Sequence, residues 1–204
     1  MRLLLIAGHE TTAATLAWTA ERLVRHPEVM TKLYQTLAAG DETYLDAVIA
    51  EAMRVRPPVP VTLRAVERDC VINDLAVPAG TIVMLYINAI HKRADLYPDP
   101  LRFEPERFAG RHPDTRHWMP FGGGAHYCVG AQLSLLESRA LLRTMLEQHR
   151  FAPDRSPDER QVQHRSLMTL PGHGARVTLL SGCARKFVGG HAARGWAGFP
   201  ACEG

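Results

Sequence analysis

The chain has 204 residues, 46% of them apolar and 22% charged, the proportions of an ordinary globular protein with one large domain or two small ones. That composition excludes a wholly disordered chain, a collagen-like fibre and a disulfide-stapled mini-protein. Lys and Arg number 24 against 21 Asp and Glu, a formal charge of +3, and without clustered basic runs this excess gives no footprint for nucleic acid.

Leu3–Ala7 is apolar behind Arg2, but it is too short for a signal-peptide core and runs into His9, Glu10 and two threonines, so it reads as the start of a buried helix. No window reaches the roughly 20 apolar residues of a membrane span. The first helix extends from Met1 to about Arg25, with Leu16, Ala20, Leu23 and Val24 at helical spacing. His26-Pro27 punctuates it, because Pro suits the first turn of a new helix. Glu28 to Ala38 is then a short amphipathic helix, ended by Gly40. Thr43 to Val55 is a third helix, stopped by Pro57-Pro58 and apolar on most sides, which predicts a buried helix.

Val59 to Ile72 and Thr81 to Asn88 read as strands, with Val77–Gly80 as the turn between them. From Asp95 to Phe121 the chain has no period, yet it carries Tyr97, Phe103, Phe108, Trp118 and Phe121, so it is expected to pack down. Val129 to Gln148 is the second long helix, with Leu133, Leu136, Ala140 and Leu141 as its stripe. Gln163 to Leu180 suggests a terminal hairpin around Pro171-Gly172. Residues 181–204 differ in kind: 11 of the 24 are Gly or Ala without periodicity, which reads as a disordered or foreign tail. Cys70, Cys128, Cys183 and Cys202 form no C-x-x-C pair and suit a reducing cytoplasm.

Three constellations carry chemistry. The first is Pro120-Phe121-Gly122-Gly123-Gly124-Ala125-His126-Tyr127-Cys128-Val129-Gly130, directly before a helix. Consecutive glycines let the backbone turn tightly and approach a flat ligand. A cysteine at a helix N-terminus meets a partial positive charge that favours the thiolate, either a nucleophile or a metal ligand. Taken singly, each residue is better read as part of a Gly-rich loop with a buried free thiol. The run as a whole resembles the haem-binding signature F-x-x-G-x-x-x-C-x-G of the cytochrome P-450 haem-thiolate monooxygenases, with Phe121, Gly124, Cys128 and Gly130 at its four fixed positions. The resemblance implies that Cys128 is the axial ligand of the iron of haem b (iron protoporphyrin IX), where a thiolate favours O–O cleavage. It also gives His126 a contact to a haem propionate.

The second is Glu51-Ala52-Met53-Arg54, an i, i+3 pair on one side of the third helix. On the pattern alone a surface ion pair is the plainer reading; the apolar surroundings favour a buried one, whose carboxylate needs further donors. The family completes this E-x-x-R pair with an arginine from a Pro-Glu-Arg-Phe segment, present here as Pro105-Glu106-Arg107-Phe108. Glu51, Arg54 and Arg107 are accordingly assigned structure rather than catalysis. The third is Ala7-Gly8-His9-Glu10-Thr11-Thr12 in the first helix, where Gly and two Thr are poor helix formers. Thr11 can bond back to the Ala7 carbonyl, and Gly8 leaves room for a ligand. By resemblance to the family's distal-helix motif, Glu10 and Thr11 are the acid–alcohol pair that delivers protons during oxygen activation. In the family an arginine at the position of Arg64 pairs with a haem propionate, and the preceding Val59–Leu63 lines the substrate pocket. His91 is read as structural.

The implied fold is mainly α with small β-sheets, a cytochrome P-450 fold that is incomplete: residues 1–180 correspond to its C-terminal portion, from the distal helix through the Cys loop to the terminal hairpin. The implied activity is insertion of one atom of O2 into a small apolar organic substrate, with electrons from a ferredoxin or other electron-transfer protein. The alternative is a truncated, non-catalytic remnant that keeps the haem-site motifs without holding haem stably. Arg111, Arg116, His117, Arg139 and Arg143 lie near the Cys loop in sequence and form a candidate basic docking face. The flavour is of soluble, cytoplasmic members, while a membrane anchor in a preceding half stays open. Apolar faces that meet such a half would be exposed, which predicts poor folding and weak haem retention by this chain alone.

Overall fold

The computed structural model describes residues 2–164 and 167–180; the Gly/Ala-rich stretch 181–204 lies outside the described residues. Three helices open the chain: α1 (Arg2–Arg25), α2 (Pro27–Ala38) and α3 (Thr43–Val55). Threonine is tolerated along α1 because three of its four hydroxyls find an acceptor one turn back. Thr11 Oγ1 donates to Ala7 O at 2.8 Å, Thr15 to Thr11 O at 3.0 Å and Thr19 to Thr15 O at 2.7 Å. Pro27 starts α2 where its missing N–H costs nothing, while His26 N donates back to Leu23 O.

Helix α3 is the centre of the molecule. Eleven of its 13 residues, Tyr44, Leu45 and Ala47 to Val55, are buried, and it packs against α1, α2, the last long helix and the aromatic segment. Its burial follows from apolar residues on most sides, as the sequence predicts.

The predicted strand Val59–Ile72 is broken. Strand β1 (Thr62–Ala65) pairs antiparallel with β4 (Ile82–Leu85), and β2 (Cys70–Ile72) pairs with β3 (Leu75–Val77). The charged Glu67-Arg68-Asp69 turns the chain between them, and a tight hairpin places Asn73 and Asp74 at positive φ (47° and 66°), a conformation their short polar side chains tolerate. The second predicted strand stops at Leu85: Asn88 lies in a one-turn helix, α4 (Ile87–His91), whose Asn88 N–H reaches Pro60 O instead of a ladder partner.

The segment from Asp95 to Phe121 is irregular but packed. Tyr97, Phe103, Phe108 and Trp118 are buried, and Trp118 Nε1 donates to Ala50 O of α3 at 2.9 Å. Two 3₁₀ turns interrupt it and the following loop, at Pro105–Phe108 and Gly124–His126. Helix α5 spans Ala131–Gln148, beginning two residues later than the sequence suggests because Cys128–Gly130 still turns. Its buried side is Ala131, Ser138, Leu142 and Leu146. The predicted stripe is therefore wrong: Leu133, Leu136, Ala140 and Leu141 are exposed. Leucines on both faces of α5 made its periodicity ambiguous, and contact with α1 and α3 decides which face is inward.

The terminal hairpin also shifts. Strand β6 (Gln161–His164) pairs with β7 (Met168–Pro171), so Pro171-Gly172 ends a strand rather than forming the turn. Strand β8 (Leu179–Leu180) pairs instead with β5 (Arg150–Phe151). The architecture is thus mainly helical, with four two-stranded antiparallel sheets among the described residues. No helix among them is long and apolar enough to cross a membrane.

Candidate functional site

Helix α1, the β1 strand and the loop before α5 enclose a cavity of about 270 Å³. Gly8, Thr11 and Thr12 come from α1, Val59, Thr62 and Arg64 from the β1 region, and Phe121, Gly122, His126, Cys128 and Gly130 from the loop. Segments more than forty residues apart thus meet on one space, and most walls are apolar.

The loop is shaped by backbone bonds. Cys128 N donates to Phe121 O at 3.0 Å and Tyr127 N to Gly124 O at 3.1 Å, folding the intervening residues over one another. Gly122 and Gly124 hold φ of +73° and +64°, a region that penalises any side chain with a Cβ. Cys128 is an exposed free cysteine two residues before Gly130, the N-cap of α5, rather than inside the helix. Its Sγ is 3.9 Å from where a Cβ on Gly130 would stand, so the missing side chain leaves room beside the sulfur.

Not every predicted residue reaches the cavity. Glu10 is exposed and is not part of its wall, whereas its neighbour Thr11 is; consecutive helical residues point about 100° apart. Gly124 is also off the wall and serves the 3₁₀ turn that carries His126. Arg64 Nη1 donates to Thr62 Oγ1 at 2.9 Å and Leu63 O at 2.8 Å, and it has no ion-pair partner among the described residues. A cation at an apolar cavity wall with only neutral acceptors invites an anionic ligand.

Glu51, Arg54 and Arg107 form a buried cluster away from the cavity wall. Arg54 is fully buried and clasps Glu51 through two bonds of 2.7 and 2.8 Å. Its remaining N–H groups donate to His91 O, Pro100 O and Arg102 O. Glu51 also accepts from Glu104 N at 2.9 Å, and Arg107 Nε stands 3.5 Å away. This cluster ties the irregular segment to α3.

Sequence reasoning missed three features. Gly122 lines the cavity at positive φ, although the signature leaves its position free; only the run of three glycines hinted at it. Thr12 Oγ1 and Ser134 Oγ, 3.1 Å apart, join α1 to α5 beside the cavity. Glu21 is buried and receives Arg22 and Arg25 at 2.6 Å each. Burial pushes its carboxyl up, but the two guanidiniums together hold it below the usual range. Nothing local in the sequence sets Glu21 apart from a surface acid.

The basic face is less bare than its sequence. Arg116 pairs with Asp114, Arg139 with Asp46 at 2.6 Å, and Arg143 with both Glu42 and Glu147. No group of three or more His, Cys, Asp or Glu side chains able to hold a metal ion gathers among the described residues.

The sequence model of the cytochrome P450 family matches residues 1–178. The chain belongs to the cytochrome P450 family. Its relatives include "Putative cytochrome P450 137" of Mycobacterium tuberculosis, 41% identical over 175 residues, which are 85% of this chain and 36% of that protein. "Putative cytochrome P450 135B1" of Mycobacterium bovis is 39% identical over 181 residues, covering 85% and 38% respectively. "Putative cytochrome P450 138" of the same organism is 37% identical, covering 86% and 40%. The chain spans two-fifths or less of the length of these relatives. Family membership implies a haem-iron cofactor.

The cavity fits such a group. A porphyrin is a flat apolar disc with carboxylates at its edge and a metal that takes one ligand from each face. The wall offers one thiol, an unpaired guanidinium, an imidazole and apolar surface. A Cβ added at Gly8, which lines the cavity, would meet nothing within 4 Å.

Proposed function

We propose that this chain is the haem-binding portion of a haem-thiolate monooxygenase that uses haem b. Such an enzyme inserts one atom of O2 into a small apolar organic substrate and reduces the other to water, and bound haem supplies that oxygen chemistry. The observation that carries the reading is the meeting of Cys128 with the Gly8–Thr11 stretch of α1 on one cavity.

Each residue has a definite task in this reading. Cys128 supplies the thiolate ligand from the loop. Arg64 and His126 hold the propionates, Arg64 with a charge that no protein carboxylate neutralises among the described residues. Phe121 would give the porphyrin apolar surface from the loop. Gly122, Gly124 and Gly130 let the loop backbone turn. Thr11 already spends its proton on Ala7 O and offers its lone pairs to the cavity. Glu10, one residue before it and facing solvent, is the acid of the pair, and handing a proton to the cavity requires the Thr11 hydroxyl to turn away from Ala7 O. Val59 and Ile87 contribute apolar wall for a substrate. Two electrons come from a small acidic ferredoxin or another electron-transfer protein, for which Arg111, Arg116, His117, Arg139 and Arg143 are the docking face.

The test is haemin titration of the 204-residue chain, followed by reduction under carbon monoxide. The wild-type chain, expected to hold haem weakly, should still give the red-shifted Soret band of a thiolate-ligated ferrous carbonyl at saturating haemin, and Cys128→Ser should lose it. Survival of that band in Cys128→Ser, or no Cys128-dependent band at saturating haemin, overturns the reading.

A further inference from the structure

His91 is a structural residue by its sequence context, and its ring is fully buried. Its two nitrogens make different bonds. Nε2 lies 2.9 Å from Met119 N and Nδ1 lies 3.1 Å from Arg54 O. A backbone N–H can only donate, so Nε2 is the acceptor; a carbonyl can only accept, so Nδ1 carries the proton. The ring is therefore a neutral link of fixed tautomer between the last turn of α3 and the residue at which the Cys loop begins.

Met119 is where that loop turns. Its carbonyl accepts Gly122 N at 3.0 Å, and its Cε would stand 3.0 Å from a Cβ on Gly123. The next three residues, Pro120, Phe121 and Gly122, all line the cavity, and Phe121 O receives the Cys128 N–H. One unbroken series of bonds thus runs from the Glu51–Arg54 pair through His91, Met119 and Phe121 to Cys128.

We propose that His91 is a positioning residue for the Cys128 loop: by gripping the Met119 amide, it sets where Phe121 and Cys128 meet the cavity. Its consequence for haem ligation rests on the haem-thiolate reading; the bond itself does not.

Two substitutions separate positioning from mere filling of the core. Gln places an amide oxygen near the imidazole Nε2 and keeps an acceptor for Met119. Asn places its amide near Nδ1, keeps the bond to Arg54 O and stops short of Met119. Both remove the ring, and each gives up one of the two bonds. A filler would show the same outcome for both.

The experiment uses the 204-residue chain with Cys70, Cys183 and Cys202 replaced by Ser, without haem. Amide hydrogen exchange at Met119 and the alkylation rate of Cys128 are measured for wild type, His91→Gln and His91→Asn. His91→Asn should speed both by about tenfold or more, as expected when an amide loses its protein acceptor. His91→Gln should keep both within about twofold of wild type. Equal acceleration in the two variants, or none in His91→Asn, overturns the proposal. Should His91→Asn fail to fold, His91→Gln decides alone: retained protection of Met119 supports the proposal and lost protection refutes it. If the wild-type chain takes up no haem, the haem-thiolate reading falls, yet the exchange pattern still decides the role of His91.

Discussion

Replacing Arg54 by Met should cost this chain much of its stability. The Arg54 guanidinium is fully buried and makes five hydrogen bonds, two to Glu51 and one each to His91 O, Pro100 O and Arg102 O. An exposed ion pair contributes about 0–1 kcal/mol. Here removal of one partner leaves the Glu51 carboxyl at 0% exposure with Glu104 N as its close donor and Arg107 at 3.5 Å. Breaking a buried pair costs about 3–5 kcal/mol, and each carbonyl left without a donor adds roughly 1–3 kcal/mol before relaxation. Their sum approaches the whole stability of a typical domain, about 5–15 kcal/mol. A loss of at least about 3 kcal/mol is therefore expected even if water enters to replace part of the bonding. The assay is urea unfolding followed by tryptophan fluorescence, since Trp118 donates to Ala50 O on the same helix. At a slope of about 2 kcal/mol per molar the midpoint should fall by about 1.5 M. Glu51→Gln combined with Arg54→Met should recover part of the loss, because the stranded charge goes with its partner. A fall below about 1 kcal/mol for Arg54→Met would place the pair with surface ion pairs and refute the reasoning.

Acid should weaken the fold through His91. Burial pushes its pKa down to about 4, the Arg54 charge works in the same direction, and the bond to the Arg54 carbonyl opposes them. An unfolded imidazole titrates near 6.5, so between these values only the unfolded chain binds the proton. Stability from this residue is complete above about pH 7 and falls by about 3 kcal/mol as pH drops from 6.5 to 4. His91→Gln should flatten that part of the urea-midpoint profile, and an unchanged slope refutes the account. In the Cys loop, Gly122→Ala should cost about 1–2 kcal/mol from its positive φ alone, because its Cβ would meet only His126 O at 3.7 Å. Gly123→Ala, at an extended φ of −166°, should cost less because the flexible Met119 end can move aside, and the reverse order in urea unfolding would refute this. Reversing Arg116 and Arg143 should slow reduction by an acidic ferredoxin at low ionic strength. No change in the stopped-flow rate would remove the docking face.

Much of the candidate site was legible in the sequence because its chemistry is written in short, local patterns. The spacing of Phe121, Gly124, Cys128 and Gly130, the Glu51–Arg54 pair and the Gly8–Thr12 run each lie within about a dozen residues. The bond from Thr11 to Ala7 O and the burial of α3 follow equally from local spacing, since a helix presents residues four apart to one another and an apolar surround has to be buried. Sheet and helix faces were less legible. Leu133, Leu136 and Leu141 are as apolar as Leu142 and Leu146, and only contact with α1 and α3 selects between them.

By itself the sequence determined which residue types are available for haem chemistry and which helices must be buried, because covalent order places those groups within reach along one turn or one loop. Tertiary structure alone decided that Thr11 faces the cavity while Glu10 faces solvent, and that Glu21 is buried among arginines. It alone brought the His91 ring against Met119. Those outcomes depend on which surfaces meet across long stretches of chain, and no pattern within a helix or loop encodes the partner that arrives from elsewhere.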